Sequence, residues 1–294
     1  MKMHEGQVDV DANVVVRLLA AQFPHLQDLR IDAVRSTGTV NALFRIGDGL
    51  CARLPLLETW TADIARELRW LPQLSRSLTT RIPEPVAAGE PTSFYPFPWA
   101  IFRWIVGEPY SDENVDDERR AARTLARFVA ELHAIEPGEG APRGGRRPLR
   151  ELDIDTRAAI DGGSDVIDAD AAMVVWERSL EAPVWNGEGT WIHGDLLRPN
   201  LLVDGGRLCA VIDFGGAGLG DPATDVIPAW AVFGRVGREV FRSALDVDDG
   251  TWARARGIAL HQAAMIIPYY AETNPGFVAL AKRTIEQIVT DATA

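Results

Sequence analysis

The segment that most constrains this 294-residue chain runs over residues 191–218, WIHGDLLRPNLLVDGGRLCAVIDFGGAG. Short apolar runs alternate with turn residues, so it reads as strand, loop, strand, turn, strand. Asp195 of His193-Gly194-Asp195 is followed five positions on by Asn200, and thirteen positions after that Asp213-Phe214-Gly215 closes the run CAVI. Phosphoryl transfer makes few covalent demands. It needs a base for the attacking hydroxyl and hard oxygen ligands for a divalent cation that neutralises the γ-phosphate. Asp195 offers the carboxylate, and Asn200 and Asp213 offer oxygen ligands of the kind Mg²⁺ prefers. Gly215 leaves room for backbone and phosphate to approach. Singly, these residues have plain readings, a loop Asp being usually a turn residue or a helix cap. The joint spacing carries the argument. A Zn²⁺ site on His193 and Asp195 is a poor alternative, because no second His or Cys lies nearby.

Around this segment the chain changes character. Residues 12–23 read as an amphipathic helix, and 38–46 and 49–55 as two strands about the hairpin signal Gly47-Asp48-Gly49. Residues 58–78 read as a helix with Leu68, Leu71 and Leu74 on one side, which Pro72 must kink or end. Residues 99–107 read as a buried strand stopping at Gly107. Helical patterns then dominate: 116–135 with Leu125, Phe128, Val129 and Leu132 on its apolar face, 167–180, and most of the chain from Asp221, including an apolar stretch at 257–267. Between the first two lies PGEGAPRGGRRP (137–148), read as a mobile loop. A strand-rich first third joined to a helical remainder gives an α+β chain of two lobes, residues 1–106 and 107–294, with a cleft between them.

Charge narrows the partners. The formal net charge is −12, and the excess lies wholly in residues 107–294, with 31 acidic against 19 basic side chains. That balance argues against a nucleic-acid partner, which needs basic surface, and favours cationic ligands or metal ions near the second half; solubility charge is the alternative. No apolar run approaches the ~20 residues needed to span a bilayer, and the N-terminus lacks the apolar core of a signal peptide, so a cytoplasmic protein with no membrane partner is expected. Cys51 and Cys209 are the only cysteines, in strand-like stretches, and read as two buried free thiols. The only lysines are Lys2 and Lys282, so an interior cation must be arginine.

The wording HGDLLRPNLLV…VIDFGGAGLGDPATD resembles the aminoglycoside phosphotransferase family, small-molecule kinases of the protein-kinase-like fold. Gly194 before Asp195, and GDPATD at 220–225 in place of an Ala-Pro-Glu tripeptide, fit the small-molecule branch rather than protein kinases. The resemblance covers most of the chain from about Gly38 and is specific in 191–225. It implies a two-lobed fold with an antiparallel-sheet N-terminal lobe that binds nucleotide and a mainly helical C-terminal lobe. It implies Mg²⁺, with ATP or GTP as co-substrate. Asp195 would be the catalytic base, Asn200 and Asp213 the Mg²⁺ ligands, and His193 a loop support. Asp225 would hold the catalytic loop through backbone amides, and Asp221 would cap the helix that follows, with Pro222 at its first position.

Kinase-like folds pair a strand Lys with a helix Glu. Here Arg53 of CARLP stands at that place with Glu67 of ARELRWL, and Arg can contact phosphate bidentately. The competing reading is an exposed ion pair of little consequence. The resemblance also implies a phosphate-covering turn at Ser36-Thr37-Gly38-Thr39-Val40-Asn41, and a hinge whose backbone at Arg103 and Ile105 bonds the base edge. The acceptor is expected to be a hydroxylated small molecule, an aminoglycoside or another antibiotic, met by a monomer or homodimer. Asp246, Asp248, Asp249 and Glu272 are acidic candidates for a cationic acceptor, and Trp230, Trp252, Tyr269 and Tyr270 are pocket candidates for a less charged one. The alternative is a non-catalytic nucleotide-binding protein, for which the missing strand Lys is the best argument.

Overall fold

In the computed structural model, which describes residues 6–34 and 40–293, a sheet-bearing lobe packs on a helical one. α1 (Ala12–Gln22) starts at Asp11, whose carboxylate accepts the Val14 N–H at 2.9 Å. β1 (Ile31–Ala33), β2 (Asn41–Ile46), β3 (Leu50–Pro55), β4 (Pro85–Gly89) and β5 (Trp99–Arg103) form one antiparallel sheet in the order β1-β2-β3-β5-β4. α2 (Thr61–Leu74) connects β3 to β4.

Strand alternation sorts the side chains of this sheet. Ala52 and Leu54 of β3 and Ile101 of β5 join Val15, Leu18 and Leu19 of α1 in one buried layer. Cys51 and Phe102 point the other way, into the larger core with Ile64 and Leu71 of α2. Arg53, two residues after Cys51, shares that second face. A slip of one residue in β3 would turn Arg53 into the α1 layer, so the register that buries Ala52 and Leu54 also aims the arginine.

In the second lobe β6 (Glu108–Pro109) leads to α3 (Glu118–His133), α4 (Asp153–Gly162) and α5 (Ala169–Leu180). β7 (Thr190–Ile192), β8 (Leu201–Asp204), β9 (Arg207–Val211) and β10 (Gly218–Gly220) follow, then α6 (Pro228–Ala231), α7 (Arg235–Leu245), α8 (Asp249–Tyr270) and α9 (Pro275–Thr293). The strands pair as β6-β8-β9 and β7-β10. α8 carries apolar residues nearly all round, as a helix must when it is enclosed by others. Ala255, Ile258, Leu260 and Ala264 are buried, with α4, α5 and α9 packed about it. Among the described residues no helix is long and apolar enough to cross a membrane.

Several local expectations shift. The helix expected over 58–78 is a 3₁₀ turn at Glu58–Trp60 followed by α2, which stops at Leu74. Pro72 falls in its last turn, where the missing N–H ends the helix rather than breaking it. The strand expected over 99–107 ends at Arg103, and the helix expected from 116 starts at Glu118, capped by Asp117. The loop 137–148 is pinned to β10: the Leu219 N–H donates to the Pro142 carbonyl at 2.7 Å, and the Gly144 N–H to the Leu219 carbonyl at 3.0 Å. Cys51 is buried, but Cys209 is only half-buried, its Sγ against the Val106 carbonyl. Of the expected phosphate-covering turn, Ser36, Thr37, Gly38 and Thr39 lie outside the described residues.

Candidate active site

The hairpin β8–β9 brings Asn200, just before it, close to Asp213, just after it, because the Ile212 N–H donates to the Asn200 carbonyl at 2.9 Å. Asp213 takes a left-handed backbone (φ 68°), a conformation that Asp tolerates better than most residues and that holds at a cost of order 1 kcal/mol. The next backbone amide, of Phe214, donates to Glu67 Oε1 at 2.8 Å. A Cβ on Gly215 would stand 2.9 Å from Asp63 Cβ, so the room glycine leaves there is taken by α2.

Glu67 is buried, and Arg53 meets it through one nitrogen, Nη1, at 2.8 and 2.6 Å from the two carboxylate oxygens. The other nitrogen, Nη2, reaches Asp213 Oδ1 at 3.2 Å. Arg53 therefore bridges the two lobes, and the surface-pair reading is excluded: its side chain is 12% exposed and that of Glu67 is fully enclosed.

Asp195 follows β7 in a loop held from behind. Both carboxylate oxygens of buried Asp225 accept backbone amides, from His193 at 2.8 Å and Gly194 at 2.9 Å. Gly194 sits at φ 87°, where a side chain would be strained. His193 is enclosed. The tautomer with its proton on Nε2 satisfies both its bonds: Nε2–H donates to the Ile212 carbonyl at 3.0 Å, and Nδ1 accepts the Asp195 N–H at 3.2 Å. Asp221 accepts the Ala223 N–H and opens a 3₁₀ turn, Pro222–Val226, rather than an α-helix.

The Asp195 carboxylate has two side-chain donors. Asn200 Nδ2 donates to Oδ2 at 2.9 Å and to the Asp195 carbonyl at 2.9 Å, which turns the Asn200 amide oxygen away from Asp195. Gln262 Nε2 of α8 donates to Oδ1 at 2.6 Å. Burial, and then the charge of Asp213, push the Asp195 carboxyl above the usual carboxylate range.

These residues share a cleft of about 620 Å³ between the lobes. Cys51, Arg53, Phe102 and Ile105 line it from one side, and Asp195, Asn200, Asp213 and Gln262 from the other. Burial raises the Cys51 thiol to about 11, which keeps it unreactive near neutrality. The Arg103 N–H donates to the Glu84 carbonyl at 2.9 Å and its side chain pairs with Glu84 on the surface, so both of those groups are engaged by Glu84. Tyr269 and Tyr270 line the cleft, whereas Trp230 and Trp252 are buried against each other, ring centroids 4.6 Å apart. Two cleft residues able to hydrogen-bond a ligand or Asp195, and an apolar set of Met265, Ile266 and Phe277, escaped sequence reasoning. Gln262 lies in an apolar helix, and Arg146 lies in the Gly- and Arg-rich loop.

Residues 34–258 match the model of the phosphotransferase enzyme family. The uncharacterized protein YcbJ of Bacillus subtilis (strain 168) is 30% identical over 157 residues, which are 51% of this chain and 48% of that protein, so the match spans about half the length of that curated relative. Among solved structures, the GDP complex of an aminoglycoside 2'-phosphotransferase-IIIa mutant is similar at TM-score 0.75 and 19% identity, covering 97% of this chain and 99% of that one. The GDP and kanamycin complex of APH(2")-IIia follows at 0.74 and 19%, covering 94% and 98%. The macrolide 2'-phosphotransferase MphH from Brachybacterium faecium stands at 0.59 and 20%, covering 94% and 97%.

Proposed function

This chain belongs to the phosphotransferase enzyme family; from that premise we propose that it is a small-molecule kinase which, with Mg²⁺, moves the γ-phosphate of ATP or GTP to a hydroxyl of a small molecule. The observation that carries the proposal is the Asp195 carboxylate, held by Asn200 and Gln262 in the cleft that Arg53 and Asp213 also line.

The acceptor hydroxyl gives its proton to Asp195 as its oxygen bonds to the γ-phosphorus. The bond from that phosphorus to the β–γ bridging oxygen breaks, and nucleoside diphosphate leaves. Two N–H donors on Asp195 orient the carboxylate and favour its charged form, against burial and the Asp213 charge that oppose it. His193 and Asp225 position the loop and do not touch substrate.

The donor set suits Mg²⁺. The Asn200 amide nitrogen is committed to Asp195, so its oxygen is the atom offered, and the Asp213 side chain is 43% exposed. Mg²⁺ takes one or two protein oxygens in such sites and completes its shell with phosphate and water. When bound there, the ion supplies charge neutralisation to the phosphates.

Residues 1–106 form the nucleotide-binding lobe in this reading. Arg53, braced by Glu67, meets the phosphates, and the backbone at Arg103 and Ile105 meets the base. Residues 107–294 supply Asp195, the Mg²⁺ ligands and the acceptor pocket. Complexes of similar folds with GDP support a nucleotide in this cleft. Calorimetry of Mg²⁺·ATP and Mg²⁺·GTP binding to the wild type and Asp213→Ala tests the assignment. The variant is expected to lose at least ~10-fold in metal-dependent affinity, and equal affinities would remove Asp213 from the metal site.

A further inference from the structure

The acceptor side of the cleft differs in character from the acidic lobe that surrounds it. Among the described residues that line the cleft, the carboxylates are Asp195 and Asp213, both already engaged in the proposed chemistry. The other acidic candidates lie elsewhere. Asp246 ends α7 in a left-handed conformation, Asp248 caps α8, Asp249 pairs with Arg242 on the surface, and Glu272 is exposed beyond α8. Beyond Gln262 the same face of α8 presents Met265, Ile266, Tyr269 and Tyr270 to the cleft at helical spacing, and Phe277 of α9 adds to it.

The cations are equally informative. Arg53 is held by Glu67 and Asp213, and Arg103 by Glu84. Arg146, the remaining cleft-lining arginine among the described residues, has neither a hydrogen bond nor an ion pair there. The loop that carries it is tied to β10, and its charge is felt by Asp195 and by His261, next to Gln262. It thus lines the cleft from an exposed stretch of loop, within electrostatic reach of Asp195 and of His261 on α8.

We propose that the acceptor is an alcohol with an apolar body and a single anionic group, a hydroxy carboxylic acid in the simplest case, lying along Met265, Ile266, Tyr269 and Phe277 with its anion on Arg146 and its hydroxyl at Asp195. This rests on the phosphotransferase reading and names its substrate class. A carboxylate on the guanidinium makes charge-assisted hydrogen bonds, and the hydrocarbon body buries against an apolar wall. A molecule bearing several ammonium groups finds there no spare carboxylate, and an unpaired arginine of like charge. It must desolvate its cations without repayment.

The test compares hydroxy fatty acids and hydroxyaryl carboxylates, their methyl esters, and the aminoglycoside kanamycin. Phosphorylation and binding are measured for wild type, Arg146→Ala and Arg146→Lys, with Mg²⁺·nucleotide affinity read in the same preparations. The acids are expected to be preferred over their esters, and Arg146→Ala is expected to lower that acid-to-ester ratio of kcat/KM by at least ~10-fold, as for a hydrogen-bonded charge, mainly through KM. Arg146→Lys should recover part of it. The acceptor class is overturned if kanamycin is the better substrate, if no acid is bound or phosphorylated by protein that binds Mg²⁺·nucleotide, or if Arg146→Ala slows acid and ester alike, which would put Arg146 on the transferred phosphoryl group. Absence of Mg²⁺·nucleotide binding overturns the phosphotransferase reading and this inference with it.

Discussion

Gln262 donates its side-chain N–H to Asp195 Oδ1 at 2.6 Å across 67 residues of sequence, on the carboxylate oxygen that Asn200 leaves open. A carboxylate gripped on both oxygens is held in one rotamer, and one released on one side can turn from the acceptor. Hydrogen bonds to charged groups contribute about 1.5–3 kcal/mol, so Gln262→Met is expected to lower kcat by about 10- to 100-fold. Mg²⁺·nucleotide affinity should stay at the wild-type value. Steady-state kinetics with calorimetry checks this, and a variant that loses nucleotide affinity instead would assign Gln262 a different role.

The environment of Asp195 predicts a pH dependence. A general base works only as the carboxylate, so activity is present above its pKa and lost as pH falls through it. Burial first, and then the Asp213 charge, raise that pKa. The acid limb of kcat/KM for nucleotide, which reports the free enzyme, should therefore lie above the ordinary aspartate value of about 3.9. With Mg²⁺ on Asp213 the like charge is neutralised, so the limb in kcat should lie at lower pH than the limb in kcat/KM. Profiles of both constants against pH measure the two limbs, and coincident limbs near the ordinary value would contradict the assignment.

Removal of Glu67 should cost stability as well as activity. Arg53 would keep its charge inside the cleft with only the partly exposed Asp213 for company. Breaking a buried ion pair from one side typically costs about 3–5 kcal/mol, and Glu67→Ala is expected to fall in that range by urea unfolding. Asp249→Ala, which breaks the exposed contact with Arg242, should leave the midpoint unchanged within error.

Asp225 offers a cleaner separation of fold from chemistry. Its two oxygens hold the amides of His193 and Gly194 from inside the protein, away from substrate. Asp225→Ala leaves two enclosed N–H groups without acceptors, at about 1–3 kcal/mol each. Thermal unfolding should show a lowered midpoint, and Asp225→Asn, which retains one acceptor oxygen, should fall between the wild type and the Ala variant.

The candidate catalytic segment was legible in the sequence because its geometry is local. Asn200 and Asp213 flank one hairpin, and Asp195 is five residues from the first of them. Arg53 and Glu67 were legible because a strand register and one helix bring them together. Gln262 was not, since a lone glutamine in an apolar helix gives no periodic signal and its partner is set by tertiary packing. Arg146 was hidden in a loop read as mobile, which pairs with β10 through backbone bonds that leave no side-chain trace. The acidic excess of the second lobe pointed to cationic ligands, yet charge totals say nothing of which face carries them. Here Asp246 and Asp248 are spent on helix ends.

The most direct measurement is Mg²⁺-dependent phosphate transfer from γ-labelled ATP or GTP to an alcohol, for the wild type and Asp195→Ala side by side. With the base removed, turnover is expected to fall by at least ~10² while Mg²⁺·nucleotide still binds. Turnover in Asp195→Ala equal to that of the wild type would contradict the account.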